Sequence, residues 1–340
     1  MLSTRQILKH DRDVGWVFVP GIRARVSSGS RAYLLRTNES GFRCAHPFAR
    51  ERPPGKRRAL LFGDSFTAGD MVSDGRRFGD LLEGAIPDLQ VLNFGLPGTG
   101  TDQQLVAYRK FASRLEGDLL VVAVQVENVR RLLTRARALR DERGVRSMFP
   151  KPYFELEDGR LVLRNVPVPR RLPPGEESTS EVEASRVRGG RYPRLRSLAD
   201  RLGLREIVQR VARPQPLPEY RSPEAPGWML LRAILESWFA DHDGRVLLVP
   251  LPLYHYVEEI ADPSDYRERF REVSTSVGCA LHDPLDDLLA LPVERRRGLR
   301  FEGDPHPNEE GHRALAESLA PVVERLLSTA EEQRTDGGAV

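Results

Sequence analysis

Only two cysteines, Cys44 and Cys279, occur in 340 residues. They cannot build a disulfide framework, no metal-ligand spacing accompanies them, and both are expected to be reduced thiols. Lysine is nearly as scarce. Lys9, Lys56, Lys110 and Lys151 are the only lysines among 52 basic residues, and the rest are arginine. The arginines are spread along the chain among 49 acidic residues, leaving a net charge of +3. A nucleic-acid-binding protein concentrates its cations on one element. This spread argues against nucleic acid as a partner and reads as compositional bias. Even the densest group, "ERRRGLR" at 294–300, reads as the solvated end of a helix. No apolar run approaches the roughly 18 residues that span a bilayer. The N-terminal "MLSTRQILKHDRDVGW" lacks the apolar segment of a secretory signal. A cytoplasmic location is therefore expected, unless a leader precedes this sequence. No internal repeat or low-complexity tract is present.

What remains is a chain with 40% hydrophobic and 30% charged residues, as in a soluble globular protein. Residues 1–55 are irregular; stretches such as "RAYLLRTN" read as edge strands between Gly, Ser and Pro. From 59 the pattern becomes β-α-β. "RALLFGDS" and "LQVLNFG" are strands, with the amphipathic "RRFGDLLEGAI" between them. "TDQQLVAYRKFASRL" is helical, opened by Thr101 or Asp102. "GDLLVVAVQVEN" is a near-continuous apolar run of the kind buried on both faces of a parallel sheet. "ENVRRLLTRARALRDE" reads as helix again. Residues 135–225 interrupt the rhythm. They hold a hairpin around Asp158-Gly159, a mobile polar stretch at 172–190, an amphipathic helix over 192–212 and a proline-rich connector. The sheet resumes with the helix "WMLLRAILESWFADH", the strand "GRVLLVPLP", a helix near 263–276, the strand "GCALHDPL" and a final helix after "DPHPNEEGH". Alternating strands and helices imply a doubly wound parallel sheet. The expected organisation is an N-terminal arm (1–55), one α/β domain (56–330, insertion included) and a flexible tail (331–340).

Ligands of open α/β sheets bind beyond the carboxyl ends of the strands. The first strand delivers Asp64 and Ser65 there, the second Gly95, and the third Glu127 and Asn128. A loop near the C-terminus delivers Asp304 and His306. A serine hydroxyl becomes a nucleophile only with a base beside it. His306 can serve as that base, with Asp304 orienting its imidazole. The N–H groups of Ser65 and Gly95 and the side-chain amide of Asn128 could then stabilise an oxyanion. Ser65 taken alone reads as a helix cap, and Asp64 as a brace for its own loop. His312 and the pair His282-Asp283 read as structural residues, since neighbours on a strand face opposite ways. Tyr254 and His255 follow a strand at the active edge and are candidates for a substrate wall. Trp228 and Trp238 fall at helical spacing and read as core.

These blocks resemble the SGNH/GDSL hydrolase superfamily. "FGDSFTAG" is similar to its first block, "NFGLPGTG" to its second, "VENV" to its third and "DPHPNEEGH" to its last. The N-terminal "TNESGFR" and the 151–162 hairpin resemble bacterial members associated with acylated polysaccharides. The resemblance implies a flavodoxin-like three-layer α/β/α fold. Ser65 would be the nucleophile, His306 the base, and Ser65, Gly95 and Asn128 the oxyanion donors, with no metal or other cofactor. Two positions depart from the family pattern. Gly303 stands where the family usually has its aspartate, three residues before the histidine; Asp304 lies two before. Glu127 replaces a usual glycine and Val129 a usual aspartate. The expected activity is that of a serine esterase, metal-independent, acting on a small-molecule or glycan acyl ester, O-acetyl carbohydrate included. The alternatives are an O-acyltransferase with the same nucleophile and a non-catalytic binding module.

Overall fold

The computed structural model describes residues 2–3, 7–28, 31–140, 146–172 and 215–336. The mobile stretch and the amphipathic helix expected between 173 and 212 lie outside the described residues. In the N-terminal segment β1 (Leu8–Asp11) pairs antiparallel with β2 (Gly15–Phe18), and β3 (Arg23–Ser28) with β4 (Arg31–Arg36). These strands form small sheets of their own, apart from the main sheet, because each finds its hydrogen-bonding partner one short turn away in sequence.

The apolar runs build the central sheet. Its strands are β5 (Arg57–Phe62), β6 (Leu89–Asn93), β7 (Leu119–Gln125), and, past the insertion, Arg245–Leu251 and Ala280–Leu281. Every residue of β6 and β7 is buried, as helical layers on both faces require. In the insertion β8 (Ala136–Arg140) pairs with β9 (Arg146–Pro150), and β10 (Tyr153–Glu157) with β11 (Arg160–Arg164). The β10–β11 turn uses Asp158 and Gly159, both at positive φ, as the dipeptide implied. With Arg245–Leu251 as β12 and Ala280–Leu281 as β13, the order across the sheet is β6-β5-β7-β12-β13, all parallel. The fold is the three-layer α/β/α arrangement.

The helices are α1 (Ser65–Ala68), α2 (Phe78–Ala85), α3 (Thr101–Ala107, continued by a π-turn over Tyr108–Ala112), α4 (Asn128–Arg131), α5 (Pro226–Ala240), α6 (Tyr254–Val257), α7 (Ser264–Val277), α8 (Leu285–Leu289), α9 (Val293–Arg297) and α10 (Glu309–Asp336). Helices α2 and α10 pack together, as do α3, α5 and α7. Trp238 of α5 sets its ring edge-on against Phe62, which stacks flat on Phe94 at 4.4 Å.

Two expectations change. The helix read over 127–142 is a single turn, α4, followed by β8. In the run Arg-Ala-Arg-Ala-Leu-Arg at 135–140 only the first four residues alternate, and it is the antiparallel pairing with β9 that makes Ala136–Arg140 a strand. The arginines are not only a solvated surplus: Arg43, Arg58, Arg77, Arg269 and Arg296 are buried. Within "ERRRGLR", Arg296 turns inward, donating to the Val257 carbonyl at 3.0 Å and to Glu259 at 2.8 Å.

Candidate active site

Helix α1 begins where β5 ends. Asp64, not Ser65, is its cap: the Asp64 Oδ1 accepts the Phe66 N–H at 3.0 Å. Ser65 is therefore the first helical residue, and its own N–H has no acceptor among the described residues. At the other end of the chain, the loop before α10 carries Asp304 and His306. The His306 Nε2 lies 2.8 Å from the Ser65 Oγ, and the Nδ1 lies 2.6 Å from the Asp304 Oδ1. That same oxygen accepts the His306 backbone N–H at 2.9 Å. An ionised carboxylate only accepts, so Nδ1 carries a proton, and in the neutral ring the Nε2 lone pair faces the serine. Gly303 lies at φ +72°, left-handed backbone open to glycine at little cost, and this turn brings the Asp304 carboxylate to the Nδ1 edge of the ring.

The charges around the imidazole act in opposite directions. Burial alone would lower the His306 pKa and is the largest influence. The Asp304 hydrogen bond and the Asp70, Asp304 and Asp64 carboxylates together outweigh it, and the pKa rises above its ordinary 6.5. The hydrogen bond from His306 holds the Asp304 carboxyl below its usual range. Asp70 follows helix α1 and donates its N–H to the Ser65 carbonyl at 3.0 Å. Burial pushes its carboxyl pKa up.

The three expected oxyanion donors differ in availability. The Asn128 side chain is fully buried, and neither its amide nitrogen nor its oxygen has a partner among the described residues. Buried polar groups are nearly always satisfied, so an empty amide at a strand end is available to a bound group. The Gly95 N–H is already donated to the Asn93 Oδ1 at 2.8 Å. A Cβ at Gly95 would lie 2.4 Å from the Ala68 nitrogen, so glycine is required there for the loop to lie against α1. Glu127 sets its carboxylate 3.7 Å from Arg130. Tyr254 stacks on His255 at 3.9 Å and lies under the Arg300 guanidinium at 4.3 Å.

An apolar cavity of about 50 Å³ is lined by Phe66, Leu251, Tyr254, Leu299, Pro305 and Pro307 among others. Phe66 follows Ser65, and the two prolines bracket His306. The histidines read as structural stay away from the reacting groups. The His312 Nδ1 accepts the Phe78 N–H at 3.2 Å, and burial lowers its pKa to about 3. His282 pairs with Ser318 at 2.8 Å.

The GDSL-like lipase/acylhydrolase family model matches residues 61–314. The chain belongs to this family. As a GDSL-like acylhydrolase it is an enzyme of ester hydrolysis, and the matched span takes in Ser65, Gly95, Asn128, Asp304 and His306. Solved structures similar to it include a lipolytic G-D-S-L protein from Veillonella parvula DSM 2008, 14% identical, covering 78% of this chain and 97% of that one with a TM-score of 0.42. A lipase/acylhydrolase from Enterococcus faecalis is 14% identical over 79% of this chain and 95% of its own, with a TM-score of 0.43. The acetyl xylan esterase AlAXEase is 15% identical over 78% and 99%, with a TM-score of 0.43. A search of curated proteins returned no match.

Several GDSL-site residues escape the sequence reading. Arg131 donates to the Asp64 Oδ2 and to the Thr99 carbonyl, each at 2.7 Å. Arg43, from the N-terminal segment, donates to the Ala68, Gly69 and Val72 carbonyls around the end of α1. Trp16 donates its indole N–H to the Pro97 carbonyl at 2.8 Å. The partners are mostly backbone carbonyls, which no sequence motif marks. No helix among the described residues is long and apolar enough to cross a membrane.

Proposed function

We propose that this acylhydrolase works through an acyl-Ser65 intermediate. The observation that carries the reading is the unbroken chain from the Ser65 Oγ through His306 to Asp304, at 2.8 and 2.6 Å. The Ser65 oxygen attacks the ester carbonyl carbon as its proton passes to the His306 Nε2. Asp304 stabilises the imidazolium that forms. The carbonyl oxygen takes up the negative charge and is received by the Ser65 N–H and the Asn128 amide. Gly95 joins them once its N–H is shared away from Asn93. Collapse breaks the bond to the alcohol, which leaves with the proton from His306. Water then repeats the cycle, and the acid departs. No metal enters these steps. The apolar cavity between Phe66 and the two prolines is the proposed place of the acyl group. An O-acetyl carbohydrate is the first substrate to assay, on the resemblance of the 37–43 segment to polysaccharide-linked members. Labelling with a fluorophosphonate, read by intact mass, tests the intermediate. One adduct on the wild type, lost in Ser65→Ala, is expected; an adduct that persists in the variant would refute it.

The raised His306 pKa sets a pH dependence. The base works unprotonated, so kcat/KM should rise through an acid limb centred above 6.5. Asp70 favours the imidazolium, and Asp70→Asn removes that charge while Asp304 and Asp64 remain. The limb should therefore move to lower pH in Asp70→Asn. A pH–rate profile of both proteins checks the sign, and a shift upward would contradict it.

A further inference from the structure

We infer that Arg131 is a positioning residue that holds Asn128 in place for the oxyanion, an inference that rests on the proposed role of Asn128. Helix α4 is one turn long, Asn128–Arg131. So short a helix cannot hold its own shape, and its orientation comes from the contacts of its residues. Val129 is buried, with α5 packed close enough that a Cβ on Gly227 would lie 3.2 Å from its Cγ2. Arg130 faces the connector, donating to Glu219 at 2.6 Å and to the Pro216 carbonyl at 2.7 Å. The Asn128 side chain has no partner of its own among the described residues. Its aim is therefore set by the backbone that carries it.

Arg131 anchors that backbone toward the serine. A single nitrogen, Nη1, donates to the Asp64 Oδ2 and to the Thr99 carbonyl, both at 2.7 Å. The other Asp64 oxygen caps α1 through the Phe66 N–H. Thr99 belongs to the glycine loop that begins at Gly95, and a Cβ on Gly100 would lie 3.2 Å from the Arg131 Cβ. One guanidinium thus ties together the three segments that supply Ser65, Gly95 and Asn128. The tie is sheltered: Asp64 is fully buried, and the Arg131 side chain is 14% exposed. A lysine at 131 would keep the charge but fall short by about one bond and lose the planar fork.

The test is a double-mutant cycle on the full chain, with p-nitrophenyl acetate as substrate and melts as folding controls. Asn128→Ala should lower kcat about 10²-fold. Arg131→Met should lower kcat roughly 10–100-fold, as a misplaced donor does, with KM moving only about two- to threefold. In the Asn128→Ala background the same Arg131→Met change should cost no more than about threefold, because the donor it positions is gone. Arg131→Lys should recover part of the loss. An equal factor in both backgrounds would overturn the inference and leave the oxyanion reading intact. An unchanged kcat in Asn128→Ala alone would sink that reading, and the inference with it, without touching the Ser65 labelling result. If Arg131→Met does not fold, the cycle is run with Arg131→Lys and judged by the same comparison.

Discussion

Ser65→Ala is expected to lower esterase turnover by about 10⁵–10⁶-fold, since a nucleophile and its base act as one unit. For the same reason His306→Ala should cost about as much, and the double variant little more. The melting temperature should hardly move. Among the described residues Ser65 Oγ makes a single hydrogen bond, to His306, and the smaller side chain meets no new obstacle. Purified variants assayed with a short acyl ester give the answer. Turnover above roughly 1% of wild type in clean Ser65→Ala protein would remove Ser65 from the mechanism, because no other unit of this strength is proposed.

The second large effect is on stability. Arg43 is fully buried. Its guanidinium donates to the Ala68, Gly69, Val72 and Leu34 carbonyls and twice to the Asp74 Oδ1. Arg43→Met would fill most of the space and satisfy none of those acceptors. Breaking a buried, hydrogen-bonded ion pair costs about 3–5 kcal/mol, or about 10 °C in melting temperature for a large domain. Urea or thermal unfolding measures it. A loss under about 1 kcal/mol would mean that these carbonyls find water as readily as the guanidinium. Arg43→Lys should recover only part, since one ammonium cannot reach so many acceptors.

The sheet was legible because apolar runs of strand length, separated by helical periods, leave few topologies open. The meeting of Ser65 with His306 was legible for a different reason: Ser65 follows a strand that ends at the carboxyl edge of the sheet, and the loop that carries His306 holds the block similar to the family's last one. What was not legible is the scaffolding around them. Arg43, Arg77 and Arg131 look in sequence like the surface arginines beside them, since their acceptors are turn carbonyls and buried carboxylates placed by tertiary structure. The 136–140 segment reads as helix because its two-residue period lapses at Leu139, and what makes it a strand is the partner β9. Asp304 was harder to place than His306. Its spacing departs from the family pattern, and the left-handed turn at Gly303 is a matter of backbone angle rather than of residue type.

The Ser65–His306 hydrogen bond spans 241 positions of chain. During synthesis, β5, β6 and β7 leave the ribosome with the serine, the glycine loop and Asn128, but without His306, the proposed proton acceptor. On the proposed mechanism, hydrolysis waits until the loop before α10 has emerged and closed back over the end of β5. Long-range closure of this kind is slow to form. Recovered activity after dilution from denaturant should therefore trail the return of helical signal, and the enzyme reports on its own completion.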